Sequence, residues 1–178
     1  MQGRKNKRRL ALLGMVLALV LCGCRIGGGA ETQKEPGSTG ENQQAGQKPP
    51  LPEKLSLNQD GVPILRVYQV DEEETKEMDL ETYLQGVVAG EMKNDWPLEA
   101  LKAQAILART FVLKFCTDKE SKYQGADIST DIEEAQAYDA TAVNERVEQA
   151  VGETRGLVLS YGGELPYAWF HSHSGGVT

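Results

Sequence analysis

Glu91 is an acidic residue placed where an apolar one belongs. From Leu80 the apolar residues run Leu80, Tyr83, Leu84, Val87, Val88 and Met92, which is one face of a helix. At 100° per residue, Glu91 falls roughly 20° from Leu80 and roughly 40° from Val87. The spacing therefore puts a carboxyl on the stripe that faces the core. A buried carboxylate costs several kcal/mol unless it is paired, hydrogen-bonded or protonated, and chemistry is a common reason to carry that cost. General acid work at neutral pH wants a carboxyl kept partly out of water, and Leu, Val and Trp side chains supply such surroundings. Trp96, five residues on, is a candidate for that wall. The competing reading is a glutamate at a frayed helix end, turned to solvent.

A second cluster lies at His171-Ser172-His173-Ser174-Gly175-Gly176. Hydroxyls and glycine amides suit oxygen-rich ligands such as sugars, although an ordinary serine-glycine turn has the same composition. His171 and His173 alternate, so in an extended strand they point to opposite sides and do not favour one shared metal. No Gly-x-Ser-x-Gly accompanies the serines, which counts against a serine hydrolase. Arg109 is a further oddity: it lies beside the apolar surface of its helix, with Lys102 on the same side. An arginine at a buried edge requires an anionic or polar partner.

Composition limits the setting in which these groups work. The chain has 178 residues and a net charge of −7. Arg4, Lys5, Lys7, Arg8 and Arg9 precede an apolar run from Leu10 to Leu21, about a dozen residues, which is short for a bilayer span. The run ends Leu21-Cys22-Gly23-Cys24, which resembles a bacterial lipoprotein signal. We expect residues 1–23 to be a lipoprotein signal peptide, Cys24 to be lipid-modified, and the chain to be extracytoplasmic on the cell membrane. Without the signal, 14 basic residues face 26 acidic ones, a net charge of −12. That argues against nucleic-acid binding and against electrostatic attachment to anionic lipid. Cys116 is then the one cysteine outside the signal region and reads as a small apolar residue on a helix.

Residues 24–60 are rich in Gly, Gln, Glu, Pro and Ser and read as a disordered tether. The folded domain is expected over 61–178. Ile64 to Val70 reads as a strand and Asp71 to Lys76 as a charged, solvated turn. Asp79 can cap the helix that starts at Leu80, and Gly90 weakens that helix near its end. A second helix begins at Trp96-Pro97 and runs through Cys116. It is rich in Ala and Leu, with Glu99, Thr110 and Lys114 in one polar sector, so it is expected to be central and closely packed. Asp127 to Tyr138 reads as loop with short extended pieces. Val143 to Thr154 gives a third helix, stopped by Gly156. Leu157–Tyr161 and Leu165–Phe170 read as two strands joined at Gly162-Gly163, a hairpin that leads into the serine-glycine loop. The expected fold class is α+β, one mixed domain with a central Ala/Leu-rich helix and a β-hairpin behind the tether.

The stretches Leu80-Glu81-Thr82-Tyr83-Leu84-Gln85-Gly86-Val87-Val88-Ala89-Gly90-Glu91-Met92, Trp96-Pro97-Leu98-Glu99-Ala100-Leu101-Lys102-Ala103-Gln104-Ala105 and Ala108-Arg109-Thr110 resemble the stage II sporulation protein D family. That family includes the LytB-type amidase enhancers. Asp127 to Tyr138 looks like its D-x-x-T-D…Q-x-Y segment, and His171 to Gly176 like its H-S-x-S-G-G motif. Lys93 stands where members usually have proline, and His173 where they often have a small or amide residue. The resemblance implies a lytic transglycosylase that cleaves the β-1,4 bond between N-acetylmuramic acid and N-acetylglucosamine, acting on peptide-stripped glycan strands, with Glu91 as catalytic acid/base. It also implies that Arg109, His171, Ser172, Ser174, Gly175 and Gly176 line the glycan groove. No cofactor or metal is expected. The expected partners are glycan strands and, beyond them, a cell-wall amidase or other engulfment proteins. The alternative is a non-catalytic amidase enhancer. The family domain continues past S-G-G, so the chain is expected to be truncated at its C-terminus.

Overall fold

The computed structural model describes residues 48–170. Alternating β-branched and aromatic residues make β1, Ile64–Gln69, whose Leu65, Val67 and Gln69 turn inward. The chain reverses at Val70–Glu73, where Glu73 takes a φ of 55°. It returns as β2, Glu74–Asp79, paired antiparallel with β1 from Gln69↔Glu74 to Ile64↔Asp79. β3, Ile128–Ser129, pairs parallel with β1 on its other edge, giving the order β2-β1-β3.

Three helices pack with this small sheet. α1 spans Leu80–Glu91, and the Asp79 side chain accepts from the Thr82 N–H at its start, as its sequence suggests. α2 spans Leu98–Asp118, with Pro97 in the capping position. Its Leu101, Ala105, Ala108 and Val112 are fully buried, and the two alanines let neighbouring elements come close. After a 3-10 turn at Ala140–Ala142 comes α3, Glu145–Glu153, whose cap is Asn144. α1 packs against α2, α3 and the 3-10 turn, and Leu80, Tyr83, Leu84, Val87 and Val88 form the middle of the core. The class is α+β, as expected.

Four expectations are corrected. First, packed structure begins before residue 61. Leu55 lies in the core, and the Ile64 N–H donates to the Ser56 carbonyl. The polar composition of 24–60 conceals these anchors, among them the Lys54 ammonium on the Lys119 carbonyl and the Asn58 N–H on the Val62 carbonyl. Second, Asp71 to Lys76 is not all turn, because its second half is β2. Third, the β-hairpin of the described residues is β1–β2, not 157–170. Gly162 and Gly163 do make a tight turn, with φ of 61° and 84° and Tyr161 and Glu164 exchanging both backbone hydrogen bonds. Beyond that one bridge, the two arms form no ladder. Fourth, the polar sector of α2 does not all face water, since Thr110 is buried: its hydroxyl donates to the Ile106 carbonyl and accepts from the Leu159 N–H.

Candidate functional site

Glu91 is the last residue of α1, and Met92 leaves in an extended conformation. The stripe that carries it ends there, so its side chain emerges at the edge of the core, half-buried instead of enclosed. Trp96 does not wall it in, being 45% exposed. The neighbouring surface is backbone: the Ala137 N–H donates to Glu91 Oε1 at 2.8 Å. A carboxylate at a helix C-terminus opposes the helix dipole by roughly 0.3–1 kcal/mol. A hydrogen bond to a charged group is worth about 1.5–3 kcal/mol, so the Ala137 contact outweighs that penalty.

Two glycines allow this approach. Gly86 and Gly90, one turn apart on α1, face the segment Ala137–Asp139. The Tyr138 ring lies against Gly86 and stacks on Tyr83 at 5.5 Å between centroids. The Asp139 N–H donates to the Gly86 carbonyl. In the sequence Gly90 reads only as a helix breaker, and neither Gly86 nor Ala137 stands out as part of a site. The signal was present as two glycines four apart, just before an acid.

Arg109 finds its anionic partner on α1. It is 1% exposed, and its guanidinium makes a two-point pair with Glu81, Nε to Oε1 at 3.0 Å and Nη2 to Oε2 at 2.6 Å. Its Nη1 donates to the Leu157 carbonyl at 3.0 Å. Glu81 sits in the first turn of α1, where a negative charge suits the dipole. Glu81 and Glu91 are ten residues apart, so about 15 Å of helix separates them. The structure thus gives Arg109 its anionic partner but does not bring it to Glu91. A cleft of about 180 Å³ opens at the Glu81 end, lined by Val62, Leu80, Glu81, Arg109, Arg155 and Leu165 among others. Lys102, on the same helix, pairs with Glu99 and Glu153.

The segment on either side of β3, residues 119–134, is tied down by charge. Glu134 accepts from the Ser121 and Ser129 hydroxyls and the Lys122 N–H. Asp131 accepts from Lys122 and the Tyr123 hydroxyl, and these bonds, with the Glu133 N–H, hold its carboxyl down at about 2. Arg66 grips Asp127 through two side-chain bonds, and that contact, through hydrogen bonding first and charge second, pushes the guanidinium further up. Cys116 is buried, and desolvation pushes its thiol up to about 12. Among the described residues no cluster of three His, Cys, Asp or Glu could hold a metal. His171, Ser172, Ser174, Gly175 and Gly176, and Cys24 with the signal segment, lie outside the described residues.

The fold and the Glu91 site thus define a mixed α+β domain with one anchored acid at a helix end. A family described as "Stage II sporulation protein" matches residues 68–161, just over half of the chain, and the chain belongs to that family. It is 36% identical over 95 residues to the amidase enhancer of Bacillus subtilis (strain 168), covering 53% of this chain and 12% of that protein. It is 31% identical over 125 residues to stage II sporulation protein D of Bacillus amyloliquefaciens, and 30% identical over 125 residues to that of Bacillus subtilis (strain 168). Each of these two matches covers 63% of this chain and 36% of the relative. The chain therefore spans about a third or less of the length of these relatives.

Proposed function

We propose that this protein is a lytic transglycosylase of peptidoglycan glycan strands, cleaving between N-acetylmuramic acid and N-acetylglucosamine in cell-wall remodelling of the sporulation type. The observation that carries the reading is Glu91: a half-buried carboxyl of the family-matched region that accepts one backbone N–H, from Ala137. Ordinary glycosidases need two carboxyl groups. Here one suffices if the sugar supplies its own nucleophile. Protonated Glu91 gives its proton to the bridging oxygen, and the bond from that oxygen to the muramic C1 breaks. The C6 hydroxyl of the same muramic residue bonds to C1 and returns its proton to Glu91. The product is a 1,6-anhydro end, no water is consumed, and the acid is restored.

Lipid attachment at Cys24 would hold the domain outside the cell membrane and beside its substrate. Cys24→Ala would then release the chain from the membrane fraction.

A second reading, a non-catalytic stimulator of a cell-wall amidase, has support in the 36% identity to a protein named amidase enhancer. Incubation with peptide-free glycan strands separates the two. Anhydro ends that disappear in Glu91→Gln support the enzyme, with a loss of at least about 10²-fold expected for the acid/base. Intact glycan, with faster turnover by an added amidase, supports the stimulator.

A further inference from the structure

Gly90 is the residue before Glu91, and the space above it is filled by backbone. A Cβ built at Gly90 would stand 2.7 Å from the Tyr138 nitrogen and 2.8 and 2.9 Å from the Ala137 carbonyl carbon and oxygen. Backbone atoms cannot rotate aside as a side-chain tip can. Only glycine at position 90 therefore lets the Ala137 N–H come within 2.8 Å of Glu91 Oε1. The approach is braced one turn earlier by Tyr138 against Gly86 and by the Asp139 N–H on the Gly86 carbonyl.

We infer that Gly90 and the Ala137 N–H form the positioning device of the acid: Oε1 is tethered, and Oε2 is the atom that carries the proton. This rests on Glu91 being the acid/base proposed above. A glutamate side chain otherwise samples many rotamers. In the protonated acid the carbonyl oxygen is the better acceptor, so the N–H selects Oε1 as carbonyl and leaves the O–H at Oε2. In the carboxylate the same bond holds Oε2 where the C6 hydroxyl can return its proton. One oxygen thus serves both proton transfers without the side chain turning over between them.

Gly90→Ala tests this with anhydro-end release from peptide-free glycan as the assay. Alanine is the better helix former, so α1 itself is not weakened; the effect comes from displacement of 137–138. A misplacement near 1 Å is expected to lower kcat on the order of 10²-fold, with KM for the glycan nearly unchanged. The second variant replaces the amide linking Gln136 to Ala137 by an ester, which removes the donor and adds no bulk. Loss of a hydrogen bond to a charged group is expected to lower kcat roughly tenfold or more, again without a matching change in KM. Should Gly90→Ala fail to fold, the ester decides alone. Wild-type kcat in the variants, or a loss confined to KM, overturns the inference and leaves the proposed function standing. A wild-type chain that releases no anhydro ends overturns the Glu91 reading and this inference with it.

Discussion

Two acids on one helix show how little residue type reveals about role. Glu81 lies in the first turn of α1 and neutralises a buried arginine; Glu91 ends the helix and faces partly outward. On the helical wheel Glu91 and Arg109 both read as misfits; in the fold Arg109 is buried and Glu91 only half-buried. The wheel does not reveal that Arg109 finds Glu81, because the pair joins two residues 28 positions apart on different helices. The pairing has a measurable consequence. Removing Glu81 leaves a buried cation without its anion, which costs about 3–5 kcal/mol. Glu81→Ala should therefore lower the urea midpoint sharply. The double variant Glu81→Leu with Arg109→Met should recover most of that loss, since an apolar pair of similar size replaces the ions. A Glu81→Ala protein as stable as wild type would show that the pair contributes nothing.

The elements most legible in the sequence were those with a strong period. α1 and α2 emerge from apolar spacing and β1 from its alternation, and the bounds differ by a residue or two, as helix and strand ends do. β2 was illegible because Glu74–Asp79 is an edge strand, mostly polar and charged, held by its ladder to β1 and not by burial. Residues 157–170 carried the opposite error. Their strand-like composition is real, but only the glycine turn forms, since a ladder needs a partner in register. Segment 119–134 carries β3 but has no clear period of its own, and side-chain hydrogen bonds order the rest of it. That makes its order depend on pH. The Asp131 carboxyl sits at about 2 in the fold against 3.8 ordinarily, chiefly through Lys122 and then Tyr123. A lowered folded value means that its contribution is present above about 4 and is lost as pH falls from about 4 through about 2. Stability followed by circular dichroism between pH 5 and 2 should fall less steeply in Asp131→Asn than in wild type. Parallel curves would remove Asp131 from the acid response.

At the scale of the whole molecule, the large apolar residues that remain exposed are unevenly spread. Leu157, Leu159, Tyr161, Tyr167 and Trp169 fall within thirteen positions, while Leu51, Leu57, Val70, Ile132 and Trp96, the last just before α2, are scattered. Both tryptophans of the chain are exposed, Trp96 at 45% and Trp169 at 76%. Iodide should therefore quench the native emission strongly, and unfolding should shift its maximum little. A shielded, blue-shifted native emission would show that one of these faces is covered in solution. The α+β class, the family, the helices and the suspicion attached to Glu91 are all legible from residue order, because amphipathic period and motif spacing are local properties of the chain. Only the tertiary structure decided that Arg109 belongs to a buried pair, that Gly86 and Gly90 receive the segment around Tyr138, and that Glu91 is anchored by Ala137. Those outcomes depend on which backbone comes within about 3 Å of which helix, and such contacts between positions some 28 to 52 residues apart leave no periodic trace in the sequence.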